Sequence, residues 1–397
     1  ITRFAAVYTP AVVGCAVLLA VIPSIITGNW AVWIEKALIF LVVSCPCALV
    51  ISVPMSFFGG IGGASRRGVL IKGADFLEKL SKADTFVFDK TGTITSGQFE
   101  INNISAAEGF SEAELLELAL TAEQFSNHPI SRCICEYCRA QGAKPLADKC
   151  ENEELAGLGV SCRFGETTVL AGNLRLAEKS VTVFKDGRTG EKEKIPQTDK
   201  TGVYIIVNDS LAGLFELSDV VKRGVAEAIA ELKTLGASKT VILSGDKASA
   251  VKNAADRAGI DSFEAELMPG DKVEEIKNIM EKAKSVTVYT GDGINDAPVL
   301  ALCDVGVAMG GVGQDAAIEA ADIVIMDDDI GKLPLAVKIS RKTMGIVKQN
   351  IVFAIGVKLL VLILTVFGIT AMWLAVFADV GVAVVAIMNA MRAMRIK

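Results

Sequence analysis

The sequence predicts two membrane-spanning helical hairpins, four spans in all, flanking a cytoplasmic α/β domain that carries an inserted α+β domain. Three observations point there. First, Pro10 to Asn29 and Ala37 to Ser65 contain no charged residue, and the 43 residues from Gln349 to Met391 contain only Lys358 and Asp379. About 20 apolar helical residues cross a bilayer core. Second, charges appear throughout from Gly73 to Thr343, and short apolar runs recur there: Thr85 to Asp89, Val241 to Leu243, Val286 to Tyr289, Val305 to Val307 and Ile323 to Ile325. Helical patterns separate the earlier runs, as in a parallel sheet with crossover helices. Third, from Gly97 to about Leu211 the character changes, with helices expected near 111–122 and 128–141 and then β-like runs. The expected borders are 1–72, 73–97, 98–212, 213–343 and 344–397, the middle segment being an insertion at a surface loop.

Composition agrees with a membrane protein. Apolar residues make up 51% of the 397 and mean hydropathy is +0.46, too high for a purely soluble chain. A net charge of −6 provides no basic field for nucleic acid. Nine cysteines, two of them inside an apolar run, make a disulfide framework unexpected and leave reduced, metal-ligating or inert thiols. No cleavable leader pattern is expected at the start of the chain. Trp30 and Trp33 suit a membrane interface between the first two spans, and Arg66, Arg67 and Lys72 place the end of the second on the cytoplasmic side.

Polar groups inside the spans carry the first chemical signal. Cys45-Pro46-Cys47 lies within the second span, and Pro46 removes a backbone donor, so an unwound helix could turn both thiols to one site. Lys358 is 10 residues before Gly368 and Asp379 is 11 residues after it. If Phe367 to Thr370 form a turn, both lie about 15 Å deep. Cys45 reaches a similar depth from Ile34. Intramembrane ionisable groups are costly and mark transport pathways. Two thiolates, a carboxylate and an ammonium leave two negative charges, suited to a divalent cation, and sulfur selects zinc, cadmium or lead over calcium or magnesium.

The second signal is Asp89-Lys90-Thr91-Gly92-Thr93, which closes the Thr85 to Asp89 strand. A carboxylate at such a strand end can attack a phosphoryl group and hold it as an acyl phosphate. Later strand ends supply Ser244-Gly245-Asp246 and Thr290 to Asp296, with Lys272 between them. Phosphoryl transfer asks chiefly for alignment and charge neutralisation. Asp89 and Asp292 are expected to hold Mg²⁺, while Lys272, Ser244 and Thr93 face the transferring oxygens. In the insert, Glu123, His128, Gly157, Gly159, Gly172 and Asn173 are candidates for a nucleotide pocket, with the base near His128, the sole histidine.

With those residues in view, the chain resembles the heavy-metal (PIB-type) P-type ATPases, in particular the zinc/cadmium/lead-exporting branch. The resemblance covers essentially the whole chain. It implies a haloacid-dehalogenase-like phosphorylation domain, an inserted nucleotide-binding domain, and ATP and Mg²⁺ as cofactors. It implies Asp89 as the phosphorylated residue, Asp292 and Asp296 at the Mg²⁺ site, and Glu123, His128, Gly157 and Gly159 around ATP. Cys45, Cys47, Lys358 and Asp379 would form the transported-metal group in a plasma (inner) membrane. Lys90 and Thr91, in the same string as Asp89, are expected among the catalytic groups, and Asp246 is expected at the nucleotide. In that family further spans and an actuator domain precede Tyr8-Thr9-Pro10, so the expected partner is the missing N-terminal part of the same pump.

Two strings are set aside: Thr189-Gly190-Glu191, in a charged loop, and Cys133, Cys135 and Cys138, read as free thiols on a helix. Other readings are a membrane-tethered phosphatase and a non-enzymatic metal sensor or channel. Such phosphatases carry a second acid where Thr91 stands, and a sensor would leave Asp89 idle.

Overall fold

The computed structural model describes residues 2–45, 47–147, 149–181, 195–198, 200–292, 296–310, 315–366 and 372–395. A seven-stranded sheet forms the centre of the soluble part. Its order is Val69–Ile71, Ile323–Ile325, Val305–Met309, Val286–Gly291, Ala83–Asp89, Lys239–Leu243 and Ser262–Glu264. All pairings are parallel except that of the Val69–Ile71 edge. The central strands are buried on both faces, which is why they read as continuous apolar runs. Val69–Ile71 lies in a stretch expected to close the membrane hairpin. Its pairing with Ile323–Ile325 brings it into the sheet instead.

The insert forms a second, six-stranded antiparallel sheet in the order Thr95–Ala106, Ser210–Val221, Thr201–Val207, Thr167–Gly172, Gly159–Phe164 and Glu151–Leu155. The helices Glu112–Glu123 and Pro129–Ala140 pack on it through Leu115, Ala119, Ile134 and Cys138. Ser111 and Glu114 form a capping box at the first helix, and Pro129 sits where a helix start has no donor to lose. The expected border at residue 212 falls inside the Ser210–Val221 strand. That strand runs on toward the central sheet because Thr95–Ala106 pairs with it along its length.

The first helix, Thr2–Thr27, turns through Gly28 (φ +73°) into Trp30–Val43, so the interfacial loop is shorter than the aromatic stretch implied. The expected second span is two helices, Trp30–Val43 and Cys47–Ser65, with Ser44 and Cys45 outside both. Pro46 itself lies outside the described residues. Among those residues, three stretches are long and apolar enough to cross a membrane: Tyr8–Thr27, Trp30–Ser65 and Lys332–Leu364. The turn expected at Phe367 to Thr370 lies outside the described residues, and a further helix covers Met372–Ala390.

One helix joins the two environments. Lys332–Val366 has 35 residues, roughly 52 Å at 1.5 Å per residue. Its first half buries Leu333, Ala336, Val337 and Ile339 in the core of the parallel sheet. Arg341 clamps it there, donating to the carbonyls of Ser81 (3.2 Å), Ala83 (3.1 Å) and Leu235. Its second half packs Val361 on Ile39 and Val43, and Ala354 on Ala48 and Val382.

Candidate phosphoryl-transfer and metal sites

Parallel register aligns the strand ends. Asp89 lies opposite Leu243, and Phe88 opposite Thr290, so Asp89, Ser244 and Asp292 come out at one edge of the sheet. Asp89 is 5% exposed and Asp296 3%. Lys272, in the first turn of Pro269–Lys282, reaches both: its Nζ lies 2.5 Å from Asp89 Oδ1 and 3.1 Å from Asp296 Oδ1. Burial, and then the Asp296 charge, push the Asp89 carboxyl up to about 7, with Lys272 pulling the other way. Burial alone would lower Lys272; the two carboxylates on it outweigh that and raise it.

Oxygens of Asp89, Asp292 and Asp296 lie within 4.8 Å of one another. Three carboxylates against one ammonium leave two negative charges, and an all-oxygen donor set suits a hard divalent cation such as Mg²⁺. Gly92 makes room for this group. Its φ is +73°, and a Cβ there would stand 1.4 Å from Asp292 Oδ2. The Gly92 carbonyl is held by the Lys222 ammonium, which also pairs with Asp328 at 2.8 Å. The Thr93 hydroxyl is buried and takes no hydrogen bond among the described residues, whereas Thr91 is exposed at the cleft mouth. Ser244 Oγ accepts the Asp246 amide at 3.2 Å and lies 3.3 Å from Asp246 Oδ2.

Two residues of the motif strings sit differently from expectation. Lys90 was expected among the catalytic groups. It is 2% exposed, and its ammonium pairs with Asp219 and, at 2.5 Å, with Asp246. The strand ends at Asp89, and Lys90 stands in the turn that follows, where it ties the insert's exit strand to the Ser244 loop. Asp246, expected at the nucleotide, is thereby occupied with Lys90.

The nucleotide candidates do converge. Glu123, His128, Gly157, Gly159, Gly172 and Asn173 line one cavity of about 400 Å³. Burial raises the Glu123 carboxyl to about 7, against a hydrogen bond from Ser131. His128 caps the Pro129–Ala140 helix, its Nδ1 accepting from the Ile130 amide at 3.2 Å, so a neutral ring carries its proton on Nε2. Asn173 caps Leu174–Ser180 and donates to the Gly157 carbonyl at 2.8 Å, which fixes the glycine loop. Gly159 has no substitute there: its φ is +151°, and a Cβ would stand 2.1 Å from the Ala171 carbonyl. A second cavity of about 350 Å³ shares Asn173, Thr201 and Gly202 with the first and reaches Lys90, Thr91 and Lys247.

Inside the membrane segments, donor atoms of Cys45, Cys47 and Asp379 lie within 4.8 Å of one another. The interruption between Val43 and Cys47 lets both sulfurs meet, which an unbroken helix forbids. Lys358 pairs with Asp379 at 3.2 Å and donates to the Cys45 carbonyl, one of the acceptors freed by the break. Tyr8 from the first helix donates to another, the Ser44 carbonyl, at 2.6 Å. The expectation of unbonded thiols needs correction here: Cys45 is bonded to Cys47, and Cys150 to Cys162 across adjoining backbone. Both bridges span little chain, so they form no framework, and the first must be reduced before its sulfurs can hold a metal. Cys133, Cys135 and Cys138 are free and join no metal-type cluster among the described residues. Burial pushes the last two up to about 11 and 12, the range of inert thiols. Thr189-Gly190-Glu191 lies outside the described residues.

Sequence reasoning missed Tyr289, whose hydroxyl donates to Asp296 Oδ1 at 3.0 Å, as well as Lys222 and Asp219. It also missed a half-buried amide contact between the helices Lys332–Val366 and Met372–Ala390, Asn389 donating to Asn350 Oδ1 at 2.9 Å. The asparagines were legible as polar residues in an apolar run; a search for charges passed over them.

The haloacid dehalogenase-like hydrolase family profile matches residues 83–304, more than half of the chain. The chain belongs to that family. Among curated relatives of this haloacid dehalogenase-like protein is the cadmium, zinc and cobalt-transporting ATPase of Bacillus subtilis, 46% identical over 100% of this chain and 56% of the relative. A zinc-transporting ATPase of Synechocystis is 44% identical over 99% and 53%. The crystal structure of a zinc-transporting PIB-type ATPase in an E2.Pi state matches at a TM-score of 0.84 with 35% identity, covering 99% of this chain and 63% of that one. The chain thus spans about half the length of the curated relatives it matches.

Proposed function

We propose that this chain is the catalytic and membrane metal-binding portion of an ATP-driven pump that exports zinc or cadmium through an aspartyl-phosphate intermediate. The observation that carries the reading is the pairing of two groups in one chain: Asp89 with Lys272, Asp292 and Asp296, and Cys45 and Cys47 with Asp379 and Lys358. Zinc and cadmium are cargoes named for the relatives, with cobalt beside them in the Bacillus subtilis protein. Lead rests on donor chemistry alone.

ATP would span the two cavities that share Asn173, Thr201 and Gly202, its base beside Glu123 and His128 and its phosphates directed past Thr91 toward Asp89. Asp89 attacks the γ-phosphorus, a new P–O bond forms at its carboxylate, and the bond to the β-phosphate oxygen breaks to release ADP. Lys272 offsets charge on the transferring oxygens, and Ser244 and Thr93 offer hydroxyl donors there. Asp89, Asp292 and Asp296 would hold Mg²⁺, which when bound supplies the charge that keeps Asp89 ionised and aligns the phosphoryl group. Lys222 keeps the Gly92 turn closed on Asp292. Coupling to the membrane would run along Lys332–Val366, clamped to the sheet by Arg341 and carrying Lys358 in the metal group. The soluble domains would lie in the cytoplasm, at the plasma (inner) membrane, beside the N-terminal part that the longer relatives contain.

The test is acid-stable labelling by ATP radiolabelled at the γ-phosphate, with and without zinc, on the chain and on Asp89→Asn. Label that needs Asp89 and responds to zinc supports both halves of the reading. Label that persists in Asp89→Asn overturns the nucleophile, and label indifferent to zinc in a chain completed with the relatives' N-terminal part overturns the coupling.

A further inference from the structure

Tyr289 is among the largest fully buried side chains of the molecule, 0% exposed. Its ring rises from the Val286–Gly291 strand through an apolar cluster that includes Val87, Leu243, Ile276 and Leu300. A phenylalanine would fill that space equally well, so packing does not account for the hydroxyl. Burying a phenol requires a partner, and this one has a carboxylate: it donates to Asp296 Oδ1 at 3.0 Å. The same oxygen receives Lys272 Nζ at 3.1 Å. Two donors converging on Oδ1 fix the rotation of the Asp296 carboxylate. Oδ2 lies beside the Gly291 backbone, where a Cβ would stand 2.8 Å away.

We propose that Tyr289 is a positioning residue for the cation site of the phosphoryl-transfer centre. Its hydroxyl holds Oδ1 of Asp296 on Lys272 and so fixes the orientation of a carboxylate that lies within 4.8 Å of those of Asp89 and Asp292. Without the hydroxyl, the 3.1 Å contact with Lys272 is the one side-chain contact left on Oδ1 among the described residues, and the carboxylate is held less firmly. The inference rests on the reading of the Asp89 site under Proposed function.

Tyr289→Phe removes one oxygen and keeps the ring. Binding of Mn²⁺, a spectroscopic stand-in for Mg²⁺, is measured on the full chain by loss of the free-ion electron paramagnetic resonance signal. Removing a residue that orients a metal ligand costs roughly tenfold or more in affinity. The expected result is a loss of that size in Tyr289→Phe, with the half-saturating ATP concentration within about twofold of the parent and the melting temperature little changed. Adding Tyr289→Phe to Asp296→Ala should then produce no further loss, because the hydroxyl acts through that carboxylate. Equal Mn²⁺ affinity in the parent and Tyr289→Phe overturns the inference and leaves the site reading intact. So does an additive double variant. If Tyr289→Phe does not fold, the same cycle with Tyr289→Met decides on the same criteria. A parent chain whose Mn²⁺ binding is unaffected by Asp292→Asn overturns the site reading itself, and the inference with it.

Discussion

The ammonium of Lys272 lies 2.5 Å from Asp89 Oδ1 and 3.1 Å from Asp296 Oδ1, and it is the one cation in contact with either carboxylate among the described residues. Lys272→Met should leave the nucleotide cavity intact and slow labelling of Asp89 by about 100-fold, the usual loss for one donor to a developing charge. The initial rate of label formation at saturating ATP measures this. A change confined to ATP affinity would assign Lys272 to binding instead.

Lys90 holds Asp219 and Asp246 and does not touch Asp89. Lys90→Met should therefore cost stability more than chemistry. Both carboxylates keep some solvent, at 20% and 45% exposure, so the loss is about 2 kcal/mol, below that of a fully buried pair. Denaturant unfolding measures the loss, and labelling of Asp89 should persist in the folded fraction.

Gly92→Ala should abolish labelling outright. The added Cβ meets Asp292 Oδ2 at 1.4 Å on a backbone with φ +73°. A labelled, folded Gly92→Ala chain would contradict the described packing of these two residues.

Glu123 gives a pH signature outside the chemistry. Its folded carboxyl is raised to about 7 from the ordinary 4.5, so the folded state binds the proton more tightly than the unfolded state. Stability from this group is therefore fully present below pH 4.5 and is lost as pH rises toward 7. Glu123→Gln should match the parent near pH 4 and exceed its stability by at most about 3 kcal/mol above pH 7. Melting temperatures across that range decide it; a constant difference would mean the carboxyl titrates normally.

Zinc binding should follow the redox state of Cys45 and Cys47. Bonded to each other they offer no thiolate, so zinc affinity measured by chelator competition should fall by about 100-fold or more on oxidation and return on reduction. Asp379→Asn should weaken zinc in the reduced chain too, since it removes a ligand and leaves Lys358 without its 3.2 Å partner.

Much of the site was legible in the chain. Asp89 and Asp292 stand in strings that follow apolar runs and so read as strand ends, Asp296 came from the resemblance, and the structure gathers all three. Lys358, Asp379, Cys45 and Cys47 were visible because charge and sulfur stand out in an apolar run. Lys90 pairs with Asp219 and Asp246, and adjacency to Asp89 in a motif says nothing about which distant carboxylates the fold brings to it. Tyr289 was invisible because a strand tyrosine reads as core until its hydroxyl is seen to have a partner.

Local chemistry sufficed for whatever depends on neighbours in the chain: the long uncharged runs, the strand and helix periods, the glycine turn after Asp89. Tertiary structure alone decided what depends on residues brought together from afar. Lys272 meets Asp89 from 183 positions away, Lys222 closes on Gly92 from 130, and Lys358 reaches Cys45 from 313. Each of those contacts pits the desolvation of a charge against a partner supplied by another element. Only the packed fold determines which partner is within reach.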